Sequence, residues 1–490
     1  MIALSLAQIA DIVGGRLADV TPADAAEIRV TGTVEFDSRA IAPGALFLAL
    51  PGARADGHDF AAAAIAAGAV AVLAARPVGV PAIVVEPVAA EDGAASVLEY
   101  DVDGSGAAVL AALAQLAAAV ATELVAGGLT IVGITGSSGK TSTKDLIAAV
   151  LEPLGEVIAP PGSFNNELGH PWTVLRATPD TDFLVLEMSA RHPGNIAALA
   201  RIAPPSIAVV LNVGTAHLGE FGSREAIAAT KAELPQAVPA SGVVILNADD
   251  AAVAAMADVT AARVVRVGRS GQADVWAEDV SLDPLARARF TLHAGDRQTL
   301  VALAVHGDHQ VSNALCAAAV ALECGATLDQ VAVALAAAGP KSKQRMAVST
   351  RADGVTVIND AYNANPDSMS AGLKALAWMG REGRTWAVLG EMAELGDDAI
   401  SEHDRIGRLA VRLDVSRLVV VGTGRPMRAM LQGAVMEGSW GSEATEVADT
   451  GAALELLRSE LRPGDVVLVK ASRSAGLGEL ADALAGEGGR

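Results

Sequence analysis

Residues 129–145, LTIVGITGSSGKTSTKD, constrain this chain more than any other stretch. Leu129, Ile131, Val132 and Ile134 form a short apolar run that reads as a buried strand. Thr135, Gly136, Ser137, Ser138 and Gly139 make a turn of small residues. Lys140, Thr141, Ser142 and Thr143 then open a helix that continues through Leu146, Ile147 and Val150. A strand that feeds a glycine turn into a helix N-terminus is a phosphate cradle. The glycines let backbone N–H groups approach the oxygens, and the helix dipole favours negative charge. In such a cradle Lys140 reaches the β- and γ-phosphates and the Thr141 hydroxyl sits on Mg²⁺. The spacing is G-x-x-G-K-T and not the longer G-x-x-x-x-G-K-[ST], because Ile134 stands where the first glycine would be. An ordinary βα turn with a surface lysine is the bland alternative; the order of strand, turn, lysine and helix favours a nucleotide.

A parallel α/β sheet is the setting such a turn requires, and the chain is long enough for more than one. Its 490 residues predict three domains. The fold class expected is α/β: a small N-terminal α/β domain over 1–105, a central P-loop-type ATPase sheet over 106–338, and a C-terminal Rossmann-like domain over 339–490. In the first, Ser5 and Gln8 make a capping box before Leu6, Ile9, Ile12 and Val13, and Gly14-Gly15 ends the helix. Asp37-Ser38-Arg39 follows a strand; it fits plain turn chemistry and equally a phosphate or carboxylate site. Residues 86–106 are acidic and read as a linker or insertion.

The central stretch alternates strand and helix, as a mostly parallel sheet requires. Strand 183–186 ends at Glu187, and a carboxylate at that end of a parallel strand points into the ligand crevice. Glu187 there either holds Mg²⁺ beside Thr141 or faces solvent. His217 follows strand 206–211 on the same rim, which makes it a candidate metal or substrate contact. Lys231 lies on helix 224–234, where a solvated face is the default. His309 and Asn313, one turn apart on an apolar helix, indicate a face turned to something polar. In the last stretch strand 355–358 ends at Asn359-Asp360-Ala361-Tyr362-Asn363-Ala364-Asn365, and Pro366 opens a helix at its favoured position. Lys470 and Arg473, at the end of strand 466–469, are placed to meet an anionic group.

Net charge is −21, from 36 basic and 57 acidic residues, which argues against nucleic acid or an anionic membrane as the main partner. Gly104–Thr122 is uncharged and long enough to span a bilayer, but it is mostly Ala and Gly with Gln115 inside it. It reads as an Ala-rich helix packed on the protein. Two cysteines, Cys316 and Cys324, have neither metal nor disulfide spacing, and the N-terminus lacks a basic n-region; a reducing cytoplasm is expected.

Taken in order, TGSSGKTSTKD, NNELGHP, LEMSAR, LNVGTAHLGEFGS, KAELP, LNADD, GDHQVSNALCAAAVA, QRM, NDAYNANPDSM, LGEMAELG and KASRS resemble the ATP-dependent Mur ligases over nearly the whole chain. The first stretch also fits, with DSR, GALFLALPG and DGHDF. The DNPR motif of the diaminopimelate-adding member is absent. The resemblance implies amide-bond formation through an acyl phosphate. ATP phosphorylates the terminal carboxylate of a UDP-N-acetylmuramoyl-tripeptide, and the amine of D-alanyl-D-alanine displaces phosphate. It implies an ATP site of Gly136, Ser137, Ser138, Gly139, Lys140, Thr141 and Ser142, with Arg345 near the γ-phosphate, Asn313 on adenine and Asp360 on the ribose hydroxyls. Thr141, Glu187 and His217 would serve Mg²⁺, and Lys231 matches a lysine carbamylated in several relatives. Lys140, Glu187, His217 and Lys231 form the implied catalytic set. KAELP stands where KGEI-like sequences are common, keeping the lysine and the acid. Asn165, Asn166 and Glu167 would lie near the muramoyl-peptide. Ser38 and Arg39 of the first domain would hold the uridine end, and Tyr362, Asn363 and Asn365 would approach D-alanyl-D-alanine. A cytoplasmic, monomeric enzyme without membrane insertion is implied. Another Mur ligase, a folylpolyglutamate synthase-like ligase and a nucleotide-dependent binding protein without ligation remain the alternatives at this level.

Overall fold

The computed structural model describes residues 1–87, 100–214, 218–438 and 443–486. Packing divides the chain into two compact units: Met1–Gly133, Gly155–Ser189 and Ile196–Ile207 in one, Ile134–Leu154, Ala190–Asn195 and Ala208–Arg490 in the other.

In the first unit a five-stranded sheet has the spatial order Arg16–Ala18, Ala82–Val84, Ala69–Ala74, Ala45–Leu48, Val34–Glu35. Only its first pair is antiparallel. Helix Leu6–Val13 starts in the expected reciprocal box, with Gln8 N–H donating to Ser5 Oγ (3.2 Å) and Ser5 N–H to Gln8 Oε1 (2.9 Å), and it stops at left-handed Gly14. The Ala-rich stretch forms helix Ser105–Ala126, which packs on helices Leu6–Val13 and Gly169–Val174. By length and composition it is the one helix among the described residues able to cross a membrane, yet 56% of its most apolar window is buried inside the protein. The Trp172 indole N–H donates to the Val34 carbonyl at 2.8 Å, with the rings of Phe36 and Phe164 against it. Strand Phe183–Glu187 runs parallel to Val157–Ile158. The acidic segment expected as a linker lies largely outside the described residues.

In the second unit the sheet order is Arg297–His306, Arg287–Ala294, Val275–Leu282, Arg263–Gly268, Val243–Asn247, Ile207–Val210. Strict strand–helix alternation fails between 275 and 306, where three consecutive strands form an antiparallel meander. The cause is visible in the burial. Val275 and Ala277, then Ala288, Phe290 and Leu292, then Val301, Leu303 and Val305 are buried at every second position, as strands with one covered face require.

A six-stranded sheet follows, ordered Ala347–Thr350, Thr356–Asn359, Val466–Lys470, Thr385–Leu389, Arg417–Val421, Ala444–Val447 and parallel except for its first pair. Alternate residues of its strands feed two cores, one around Ile358, Leu389 and Leu468 and one around Val357, Val388 and Val467. Helices cover both faces, the doubly wound arrangement expected. Pro366 stands in the first turn of helix Pro366–Met379, capped by Asn365 in a reciprocal box with Ser368. Cys316 and Cys324 are free thiols; burial pushes them up to about 12 and about 11, out of reach of thiolate chemistry.

Candidate active site

The glycine turn lies between strand Thr130–Thr135 and helix Lys140–Leu151, as the spacing requires. Gly139 ends it at φ +83°, and a Cβ there would stand 2.9 Å from Asn313 Oδ1, so glycine is demanded by backbone and neighbour alike. Asn313, on helix Gln310–Glu323, therefore sits against the turn itself; its amide donates to Gln310 Oε1 at 2.9 Å. The Lys140 ammonium folds back to donate to the Gly136 carbonyl at 2.6 Å.

The residues after strand Ile207–Val210 brace this turn. Asn212 accepts from Ser137 N–H through its carbonyl (3.1 Å) and from Ser138 N–H through its side chain (2.9 Å), while its own amide donates to the Ser138 carbonyl (3.1 Å). Gly214 N–H donates to Ser137 Oγ at 2.9 Å. Asp250 fixes the brace in turn, accepting from Val213 N–H at 2.8 Å while capping helix Ala251–Ala254. Asn365 adds an amide on the Ser137 carbonyl at 3.4 Å. The sequence marks Asn247-Ala248-Asp249-Asp250 as a helix cap, which Asp250 is, but gives its hold on Val213 no signal; Asn212 showed only its position just past a parallel strand end.

Lys231, on helix Arg224–Ala237, is 7% exposed. Burial, and then the charge of Lys140, hold its amine well below the ordinary lysine range. It is a core-facing amine and not a residue of a solvated helix face.

Arg345 comes back to the same helix. Its guanidinium donates to Thr141 Oγ1 at 3.3 Å and lies 4.1 Å over the Tyr362 ring, which Arg473 flanks at 5.7 Å. Both neighbours of Arg345 are non-glycine residues in the left-handed region, Gln344 at φ +59° and Met346 at φ +49°. Asp360 holds that turn by accepting from Met346 N–H at 3.0 Å, and pairs with Lys470 Nζ at 2.6 Å. Lys470 also donates to the Asn363 carbonyl at 3.0 Å. This corrects the reading of Lys470 as a cation open to a ligand: it is 2% exposed, and its anion is Asp360. Asn363 Oδ1 accepts from Ala364 N–H. Beside the phosphate helix Ser142, Asp145, His306, Gln310, Pro340 and Arg345, among others, line a small cleft.

The first unit holds the other expected site residues. Glu187 is fully buried; Ser163 Oγ and the Asn165 amide each donate to its Oε2 at 3.3 Å. Asn166 spends its side-chain oxygen on Gly169 N–H at 2.9 Å. Glu167 is half-buried in the same loop. Ser38 opens a 3₁₀ turn, and Arg39 is paired bidentately with Asp37, whose carboxyl is held down at about 2 by those hydrogen bonds. His217 lies outside the described residues. Among the described residues no group of three or more His, Cys, Asp or Glu side chains is arranged to hold a metal.

A doubly wound C-terminal sheet and a braced strand–glycine turn–helix, with a buried lysine in the field of the turn's own lysine, are the parts of an α/β protein of the phosphate-turn, nucleotide-binding class. Three family descriptions match along the chain: Mur ligase family, catalytic domain, at 32–121; Mur ligase middle domain at 134–321; and Mur ligase, glutamate ligase domain, at 344–473. The chain belongs to the Mur ligase family. It is 76% identical to the UDP-N-acetylmuramoyl-tripeptide–D-alanyl-D-alanine ligase of Mycobacterium tuberculosis, over 99% of this chain and 98% of that protein. It is 33% identical to the Escherichia coli protein of the same name over 99% of each. Among solved structures, MurF from Acinetobacter baumannii superposes with a TM-score of 0.82 at 30% identity, covering 99% of both chains. The Thermotoga maritima MurF ligase in complex with ADP gives 0.74 at 28% identity, over 93% of this chain and 97% of that one.

Proposed function

We propose that this protein is the ATP-dependent ligase that adds D-alanyl-D-alanine to UDP-N-acetylmuramoyl-tripeptide, giving the pentapeptide precursor of peptidoglycan. The observation that carries the reading is the 76% identity, over 99% of the chain, to a relative of that name.

The residues divide the work as follows. Gly136 to Ser142 and Arg345 bind the phosphates, with Lys140 released from the Gly136 carbonyl to meet them. The cleft beside Ser142 and Gln310 takes adenine, with Asn313 behind it, and Asp360 lies toward the ribose. Thr141 and Glu187 are oxygen donors of the kind a hard cation takes, and with His217 they are the residues proposed to serve Mg²⁺. Bound there, Mg²⁺ would supply positive charge to the phosphoryl group. The tripeptide carboxylate attacks the γ-phosphorus and ADP leaves. The neutral amine of D-alanyl-D-alanine then adds to the acyl carbon, loses its proton, and the tetrahedral adduct expels phosphate.

Burial favours the neutral form of Lys231 that carbamylation by CO₂ requires, and a carbamate would turn a buried base into an anion within the field of Lys140. Residues 1–105 bind the UDP-muramoyl end through Ser38 and Arg39. Asn165, Asn166 and Glu167 contact its peptide, and residues 339–490 bring Tyr362, Asn363 and Asn365 to the dipeptide. The protein acts in the cytoplasm as a monomer.

Phosphate release with ATP, the nucleotide-linked tripeptide and D-alanyl-D-alanine, each omitted in turn, tests the reading. Release is expected only with all three. Equal release when a single amino acid replaces the dipeptide would overturn the assignment.

A further inference from the structure

The segment 340–346, PKSKQRM, runs back along the phosphate-binding helix and is fastened to it at two rungs. At one, Arg345 donates to Thr141 Oγ1 (3.3 Å). At the other, Ser342 N–H donates to Asp145 Oδ2 (3.0 Å). Thr141 and Asp145 are four residues apart, so they share one face of the helix. The second rung is the more enclosed. Asp145 Oδ1 pairs with Lys144 Nζ at 2.6 Å, the Lys144 ammonium also reaches Ser342 Oγ at 3.5 Å, and Lys144 and Ser342 are 1% and 6% exposed. Lys341 and Glu152 form a third, exposed pair further down the helix.

Arg345 itself is held in an unfavourable backbone, between two non-glycine residues of positive φ, and its Nε–H is buried without a hydrogen-bond acceptor. A strained turn persists only where its surroundings over-determine it. Asp360 clamps it from one side through Met346 N–H, and Asp145 from the other through Ser342 N–H.

We propose that Asp145 is a positioning residue: by holding Ser342 on the phosphate helix it sets where the Arg345 guanidinium stands beside Thr141. The inference rests on the nucleotide-site reading above. On this view the helix that receives the phosphates at its first turn also anchors, one turn later, the segment that supplies the arginine.

The test is steady-state phosphate release by the full chain for Asp145→Ala and Asp145→Asn, alone and combined with Arg345→Ala, alongside melting temperatures. Asp145→Ala is expected to lower kcat about tenfold and raise KM for ATP, leaving KM for the dipeptide unchanged. Asp145→Asn keeps an acceptor for Ser342 N–H and should retain more activity than the alanine variant. In the Arg345→Ala background the loss from Asp145→Ala should shrink to within about twofold. A folded Asp145→Ala protein with normal kinetics, or a loss that stays tenfold without Arg345, overturns the inference. If Asp145→Ala does not fold, Ser342→Pro removes the donor from the other side, and additivity with Arg345→Ala counts against the inference equally. Full turnover by Arg345→Ala alone overturns the nucleotide-site reading itself.

Discussion

The ammonium of Lys140 acts on the buried amine of Lys231: after burial, it is the charge that pushes Lys231 below its ordinary proton affinity. A lowered pKa means the neutral, CO₂-reactive amine persists at pH values where a surface lysine is protonated. With carbon-13-labelled bicarbonate near neutral pH, a carbamate signal is expected from the native protein and none from Lys231→Arg. The arginine variant should also lose turnover on the order of a hundredfold, the scale of a removed charge-stabilising group. An identical signal from both proteins would place the carbamate elsewhere.

Lys140 is half-buried and donates to a backbone carbonyl of its own turn, outside the hydrophobic core. Lys140→Ala should therefore melt with the native protein while ADP formation falls by at least about a thousandfold, the order seen when a cation on the transferred phosphoryl is lost. Near-normal ADP formation would sink the phosphate-turn assignment.

Asn212 holds both the N–H and the carbonyl of Ser138. Asn212→Ala leaves those groups without their partner and is expected to destabilise the fold by about 1–3 kcal/mol. Because the loosened groups belong to the phosphate turn, ATP affinity should fall as well, while affinity for the nucleotide-linked tripeptide changes little. Calorimetry with each ligand separates the two.

His170 is fully buried, and burial pushes its imidazole down to about 4 against backbone groups of Glu187 and Leu199 that only partly oppose it. Between pH 4 and 6.5 the unfolded chain binds a proton that the folded chain does not, so stability falls as pH falls through that window. From an ordinary value of 6.5, the loss reaches about 3 kcal/mol once pH is below 4. Denaturant titrations from pH 7 to 4 should show the slope in the native protein and a flatter one in His170→Leu. Equal slopes would contradict it.

How far the chain could be read in advance follows the range of the interactions involved. The glycine turn, the Ser5–Gln8 box and the Asn365-Pro366 helix start depend on neighbours within a few residues, and each was legible. The meander from 275 to 306 was missed because the strand–helix alternation was carried through it, although alternate apolar positions such as Ala288, Phe290 and Leu292 were there to read. The Asn212 brace was missed for another reason: its partners are 74 residues away, and an asparagine after a strand reads as a turn. Lys470 was visible as a cation at a strand end, but nothing local could say that its anion was already inside the chain, 110 residues earlier. Arg39 is the converse case, where the counter-ion two residues away was in view.

The Asp360–Lys470 pair also has a consequence in time. Lys470 lies 330 residues after Lys140 in the chain. At roughly 5–20 residues per second of synthesis, the phosphate turn leaves the ribosome about 15 to 65 seconds before that lysine. Until then Asp360 has no ammonium beside it, and the central strand Val466–Lys470, against which both Thr356–Asn359 and Thr385–Leu389 pair, is missing. A chain cut short before Val466 has the glycine turn but not the strand that joins the two halves of the C-terminal sheet. Only once that strand has been made is the sheet continuous from Thr356–Asn359 to Thr385–Leu389.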